Sequence, residues 1–255
     1  HTHKRLVIPG TCLGFDFSCC SSGVRCSRWQ LLASLGFVVS VLDNRGSAGR
    51  GLKFQRELYK KMGTVELEDQ VLQRIIDFCC LKMIFLQVRH VEYLVGAGIT
   101  DPKRVAIYGA SYGGYMSLIA LCKRPDVFRI CYAYAPVTSW EAYDTAYTEV
   151  HFVFLLCFCF TRLFFSKRFM GMPEENPKGY REASVLANAN GFPAEADRVV
   201  ILHGGSDENV HFAHSAMLCQ KLCELEKMYT LQVYPMMRHG VTGTHSALAM
   251  IHHLQ

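Results

Sequence analysis

The sequence has no block of like charge. Its 27 Lys and Arg and 22 Asp and Glu are scattered over 255 residues, and the net charge is only +5. That excludes the concentrated basic footprint of a nucleic-acid-binding chain. It also lacks the run of about 20 uncharged apolar residues that a membrane-spanning helix needs. The most tempting stretch, His151 to Phe169, is uncharged only from Phe152 to Thr161 before Arg162 intervenes. A buried core segment or an insertion is expected there instead. No continuous apolar run follows His1-Thr2-His3-Lys4-Arg5, so no signal peptide is expected, and the missing initiator Met suggests a cut domain or fragment. No internal repeat and no low-complexity linker is present, which excludes propellers and solenoids. Disorder is excluded by what is there: half of the chain (50%) is apolar and 19% is charged.

Cysteine is present without the spacing of a metal site. Of the 12 Cys, Cys19-Cys20 and Cys26 come nearest, but they do not form CxxC and no second half follows, so no metal is expected. The density is too low for a disulfide-built mini-protein, and a reducing, cytoplasmic setting is expected. Cys122, Cys131, Cys219 and Cys223 lie among apolar residues and read as small buried hydrophobes. The remaining eight fall in three aperiodic stretches, 12–28, 72–88 and 150–169.

The rest of the chain alternates. Phe37–Leu42, Arg104–Tyr108, Phe128–Tyr134, Arg198–Leu202 and Leu231–Tyr234 are short apolar runs of the kind buried in parallel sheets. Helical patterns lie between them at Leu52–Tyr59, Gly114–Lys123 and Phe212–Glu226. This rhythm predicts an α/β fold, a doubly wound, mostly parallel sheet flanked by helices.

The run Arg104–Tyr108 leads into Gly109-Ala110-Ser111-Tyr112-Gly113-Gly114, a G-x-S-x-G motif between a strand and a helix. In that context the Ser sits on a sharp turn with its hydroxyl projecting from the sheet edge, and the glycines make room for crowded backbone. The helix N-terminus faces the developing oxyanion, which makes the Tyr112 N–H a natural donor. A Ser hydroxyl needs a His base, and the His needs a carboxylate; here the chain order is Ser, acid, His. The strand Arg198–Leu202 is followed by Asp207, with Glu208 as the alternative acid, and Leu231–Tyr234 is followed by His239. His203, which closes a strand, reads as a hydrogen-bonded structural residue. His211 and His214 open a helix, and His245, His252 and His253 read as a solvated face of a C-terminal helical tail.

With these residues in place a resemblance is visible. Gly109-Ala110-Ser111-Tyr112-Gly113-Gly114-Tyr115 resembles the elbow of the prolyl oligopeptidase family of serine peptidases, which has the α/β-hydrolase fold. Ala135 to Glu149, His203 to Phe212, Asp43 to Ser47 and Leu52 to Phe54 resemble its dipeptidyl peptidase IV branch. Asp207-Glu208-Asn209 and Arg238-His239 look most like dipeptidyl peptidases 8 and 9. The likeness covers about two thirds of the chain and implies one α/β-hydrolase peptidase domain over 1–255, without the family's N-terminal β-propeller. It implies Ser111 as nucleophile, Asp207 as acid and His239 as base. It also implies that Asn209 binds the substrate carbonyl, and that Tyr143, Tyr147, Trp140, Val137 and Val210 line a small apolar pocket suited to a proline ring. The implied substrates are peptides with a penultimate proline, cleaved through an acyl-enzyme with no metal or cofactor. The implied partner beyond substrate is a second copy of the chain.

The sequence departs from the family pattern in places. Where the family has an oxyanion-binding Tyr before the first strands, the nearest match is Val7-Ile8-Pro9-Gly10. Losing such a donor costs about 3–4 kcal/mol. The stretches 12–28, 72–88 and 150–169 match poorly or interrupt the likeness, and they read as translated non-coding sequence in a gene model. The alternatives to a proline-specific peptidase are a related oligopeptidase, acylaminoacyl peptidase or esterase, and a catalytically impaired fragment acting as an interaction module.

Overall fold

The computed structural model describes residues 6–9, 27–41, 44–47, 50–71, 90–143 and 169–239. Among the described residues six strands form one sheet: β1 (Leu6–Pro9), β2 (Val38–Val39), β3 (Val105–Ala110), β4 (Ile130–Tyr134), β5 (Val199–Gly204) and β6 (Thr230–Tyr234). Their order is β2-β1-β3-β4-β5-β6, and every neighbouring pair is parallel. The helices are α1 (Ser27–Ser34), α2 (Leu52–Arg56), α3 (Val65–Val71), α4 (His90–Gly96), α5 (Tyr112–Lys123), α6 (Pro177–Ala183) and α7 (Ala213–Glu224).

Alternation along the strands divides the core between the two faces of the sheet. Val105 and Ile107 of β3, Cys131 and Ala133 of β4, and Val199 and Ile201 of β5 join one apolar cluster with α5, α3 and α4. Their neighbours Ala106, Tyr132, Tyr134, Val200 and Leu202 join a second cluster with Leu32 of α1 and Phe37. Apolar side chains on both faces explain the unbroken apolar runs in the sequence, and the doubly wound α/β fold follows.

Several boundaries differ from expectation. The run Phe37–Leu42 yields only the two residues of β2, and Leu42 lies outside the described residues. β3 reaches Ala110, through the first glycine of the motif, and β5 reaches Gly204. β1 was not expected: its four residues become a strand through pairing with β2 and β3 on either side. Cys122, Cys131 and Cys219 are buried, but Cys223 is exposed, because it falls in the last turn of α7 where the packed layer ends. Residues 12–26, 72–88 and 150–168 of the three aperiodic stretches, and the C-terminal His residues, lie outside the described residues. Among the described residues no helix is long and apolar enough to cross a membrane.

Candidate active site

Because β3, β5 and β6 are parallel, the residues that follow their C-terminal ends gather at one edge of the sheet. Ser111 follows β3, Asp207 follows β5 and His239 follows β6.

Ser111 has φ 56° and ψ −115°, a conformation that non-glycine residues avoid and that costs about 1–3 kcal/mol. The fold holds it there from both sides. Its N–H donates to Tyr134 O at 2.8 Å, and its carbonyl accepts the Tyr115 N–H at 2.9 Å. A Cβ on Gly109 would lie 2.4 Å from the Gly113 backbone, so only glycine permits the strand to fold back against the helix. Ser111 is half-buried at the head of α5, and Tyr112 is the first residue of that helix. A first helical N–H has no carbonyl within its own helix to bond, so an anion is its natural partner.

Asp207 is 3% exposed. Its Oδ1 accepts the N–H groups of Asn209 and Val210, both at 3.0 Å, and His239 Nδ1 lies 2.9 Å from its Oδ2. The remaining ring nitrogen of His239, Nε2, is then left for a substrate-side proton. Close backbone approach brings the two loops together. A Cβ on Gly204 would meet Met237 O at 2.3 Å, and the Ser206 N–H donates to Met237 O at 3.1 Å. Tyr134 OH donates to Arg238 O at 3.3 Å. Glu208, the alternative acid, is exposed and faces Arg238 at 3.5 Å rather than the imidazole. Among the described residues no hydrogen bond joins the Ser111 hydroxyl to His239.

His203 is fully buried, as a structural residue should be. Its Nε2 bonds Val210 O at 2.8 Å and its Nδ1 bonds Ser215 Oγ at 2.7 Å, and burial pushes its pKa below the ordinary 6.5. Nε2 also lies 3.4 Å from Asp207 Oδ2, so His203 helps wall in the carboxylate. His214 in the first turn of α7 is buried too, and desolvation lowers its pKa to about 4. Its Nδ1 accepts the Thr138 N–H at 3.2 Å, which fixes the loop carrying Trp140 and Tyr143.

Tyr143 OH donates to Asn209 Oδ1 at 2.7 Å, joining two of the expected binding residues. Tyr143 is partly open and Asn209 exposed, whereas Val137, Trp140 and Val210 are 2%, 1% and 0% exposed and belong to the core. Those three are therefore packed in the core, with Trp140 edge-on to Tyr143 at 5.8 Å, and Tyr147 lies outside the described residues. Among the described residues no group of three or more His, Cys, Asp or Glu could hold a metal ion.

Glu66 belongs to no motif in the sequence. This residue of α3 is fully buried, and Tyr112 OH donates to its Oε1. Burial, only partly offset by that hydrogen bond, raises its pKa from 4.5 to about 7. A charged residue between Val65 and Leu67 gave no sign of facing inward.

The prolyl oligopeptidase family matches residues 23–74 and 87–254. Dipeptidyl peptidase 8 of Mus musculus is 42% identical over 91% of this chain, which covers 23% of that protein. Prolyl endopeptidase FAP of Homo sapiens is 33% identical over 88% of this chain, which covers 26% of its length. The chain thus spans about a quarter of these curated relatives. A solved structure from Bacteroides ovatus, provisionally assigned as a dipeptidyl aminopeptidase IV, superposes with a TM-score of 0.76. It is 22% identical and covers 99% of this chain and 31% of its own, a likeness of fold. The chain belongs to the prolyl oligopeptidase family of serine peptidases.

Proposed function

We propose that residues 1–255 form the catalytic domain of a serine peptidase that cleaves peptides after proline. In this reading Ser111 is the nucleophile, His239 the base, Asp207 the acid that orients it, and the Tyr112 N–H the oxyanion donor. The observation that carries it is the Asp207–His239 pair at the same edge of the sheet as the strained Ser111 turn, in a chain of this family. His239 Nε2 takes the Ser111 proton as Oγ bonds to the substrate carbonyl carbon. It returns that proton to the departing amine as the C–N bond breaks. Water then hydrolyses the acyl-enzyme by the same route. Asp207 keeps the proton of neutral His239 on Nδ1 and offsets the charge of the imidazolium. Tyr143, held by Asn209, supplies a flat apolar surface for a proline ring, with Tyr147 as a further wall and Trp140, Val137 and Val210 packed behind. Peptides with a penultimate proline are the proposed substrates.

A second reading has one observation in its favour. β1 ends in Ile8-Pro9 beside Tyr108 of the elbow strand, where the family resemblance calls for an oxyanion-binding Tyr. With one donor fewer the chain would be a slow enzyme or an inactive interaction module. Labelling the purified chain with a fluorophosphonate, with Ser111→Ala as control, separates the two. Labelling lost in the variant supports the peptidase; a folded wild-type chain that never labels supports the inactive one. A labelled chain that hydrolyses simple esters but no Pro-linked chromogenic dipeptide would point to an esterase.

A further inference from the structure

Beneath the elbow lies a polar cluster that the triad does not use. Glu66 is fully buried; its Oε1 accepts the Tyr112 hydroxyl, and its Oε2 has no hydrogen-bond partner among the described residues. Burying a carboxyl in this state is unfavourable, and packing alone gives no reason to keep it. Its hydrogen bond from another side chain comes from the residue that follows Ser111.

The Tyr112 ring is fixed as well as its hydroxyl. It lies 5.4 Å from the ring of Tyr115 and 5.6 Å from that of Trp140, and Trp140 meets Tyr143 edge-on at 5.8 Å. An aromatic row therefore runs from Glu66 under the elbow to the wall of the binding site. The helix that carries Glu66 is itself clamped. Arg45 donates through its backbone N–H to Asp69 Oδ2 at 2.7 Å and through Nε to Asp69 Oδ1 at 2.9 Å, and it meets Glu68 at 3.1 Å. α3 is thus a fixed post, and Glu66 links it to the first residue of α5.

We propose that Glu66 is a positioning residue for the reaction: through the Tyr112 phenol it holds the Tyr112 amide, and with it the strained Ser111 turn, in the geometry that binds the oxyanion. This rests on the peptidase reading above. Ser111 stays in its costly conformation only where its surroundings over-determine it. Its upstream side is held by the Gly109–Gly113 contact and the Tyr134 carbonyl; on the downstream side the Glu66–Tyr112 hydrogen bond adds a side-chain anchor to the Tyr115 N–H bond. A misplaced amide weakens the transition state more than the bound substrate, so the loss falls on kcat rather than KM.

The test uses the full chain. Glu66→Ala, Glu66→Gln, Tyr112→Phe and the Glu66→Ala/Tyr112→Phe double are compared with wild type. Each is assayed for kcat and KM on a Pro-linked chromogenic dipeptide and for its rate of fluorophosphonate labelling, after circular dichroism has checked folding. Glu66→Ala and Tyr112→Phe are each expected to lower kcat and labelling about tenfold with KM within about twofold. Gln, which keeps an acceptor for the phenol, restores the rate to within about threefold of wild type. The double variant is no slower than the slower single, because both act through one hydrogen bond. A Tyr112→Phe variant at the wild-type rate overturns the proposal, and so does a double variant whose losses multiply to about a hundredfold. If Glu66→Ala fails to fold, Tyr112→Phe decides alone, since it removes a single hydroxyl. A wild-type chain that neither labels nor turns over overturns the peptidase reading and this one with it. An active wild type with an unaffected Tyr112→Phe overturns this one only.

Discussion

His239 Nδ1 meets Asp207 Oδ2 at 2.9 Å, and the same carboxylate is pinned through Oδ1 by the amides of Asn209 and Val210. The acid is therefore fixed by backbone before the imidazole reaches it, so the pair is rigid on one side and adjustable on the other. That asymmetry suits the role proposed for His239, a base that turns toward Ser111.

Asp207→Asn should lower kcat about 10³–10⁴-fold while leaving KM nearly unchanged, because an amide can present its N–H to Nδ1 and stabilise the wrong tautomer. Glu208→Gln should change kcat by less than about threefold, since Glu208 faces Arg238. Steady-state kinetics on a Pro-linked chromogenic dipeptide check both. Equal losses in the two variants would remove Asp207 from the role of orienting acid.

Ser111→Gly and Ser111→Ala should both abolish turnover but part in stability. Glycine accepts φ 56°, ψ −115° without strain, whereas alanine bears the same strain as serine. The glycine variant should melt about 2–4 °C above the alanine variant, corresponding to about 1 kcal/mol in a domain of this size. Differential scanning calorimetry gives the comparison. Equal melting temperatures would mean that the turn stores little strain.

That Ser111, Asp207 and His239 follow strand ends was legible in the sequence, because the motif, the chain order and the apolar runs are all local signals. The sheet was equally open to reading, since strands buried on both faces are apolar without interruption. What escaped depended on pairing or on packing from a distance. Leu6–Pro9 is a strand because β2 and β3 lie on either side of it. Glu66 is interior because its helix packs into the core with α5, where Tyr112, far along the chain, donates to it. Cys223 looked buried from its apolar neighbours, yet the last turn of α7 leaves it exposed beside the Tyr229 hydroxyl at 3.4 Å.

Tyr143→Ala should raise KM for a Pro-containing substrate more than for its Ala counterpart, because the larger ring loses more contact area. Tyr143→Phe keeps the ring but leaves Asn209 Oδ1 without the bond at 2.7 Å. It should therefore raise KM for both substrates equally, through a looser Asn209. Parallel KM measurements with the two substrates separate the effects. An equal penalty for Tyr143→Ala on both would count against a proline-fitting surface.

Glu66 links the site to stability through pH. Its pKa is about 7 in the folded chain against 4.5 for the free carboxyl, so the folded state holds this proton more tightly than the unfolded one. Its neighbours across the cluster are Tyr112, Tyr115 and, at longer range, Asp69 and Lys123, and desolvation outweighs all of them. The stability tied to this proton is complete below pH 4.5, falls as the pH climbs and is lost above about 7. The interval corresponds to on the order of 3 kcal/mol. Between pH 5 and pH 8 the melting temperature of wild type should accordingly fall by several degrees more than that of Glu66→Gln, which has no proton to lose there. The comparison of slopes is independent of any fixed cost of burying the amide. Parallel slopes would mean that Glu66 ionises at its ordinary pKa. A steeper fall for wild type would mean that the chain gives up stability near neutral pH to keep a carboxylate under Tyr112, as expected of a group retained for the site rather than for the fold.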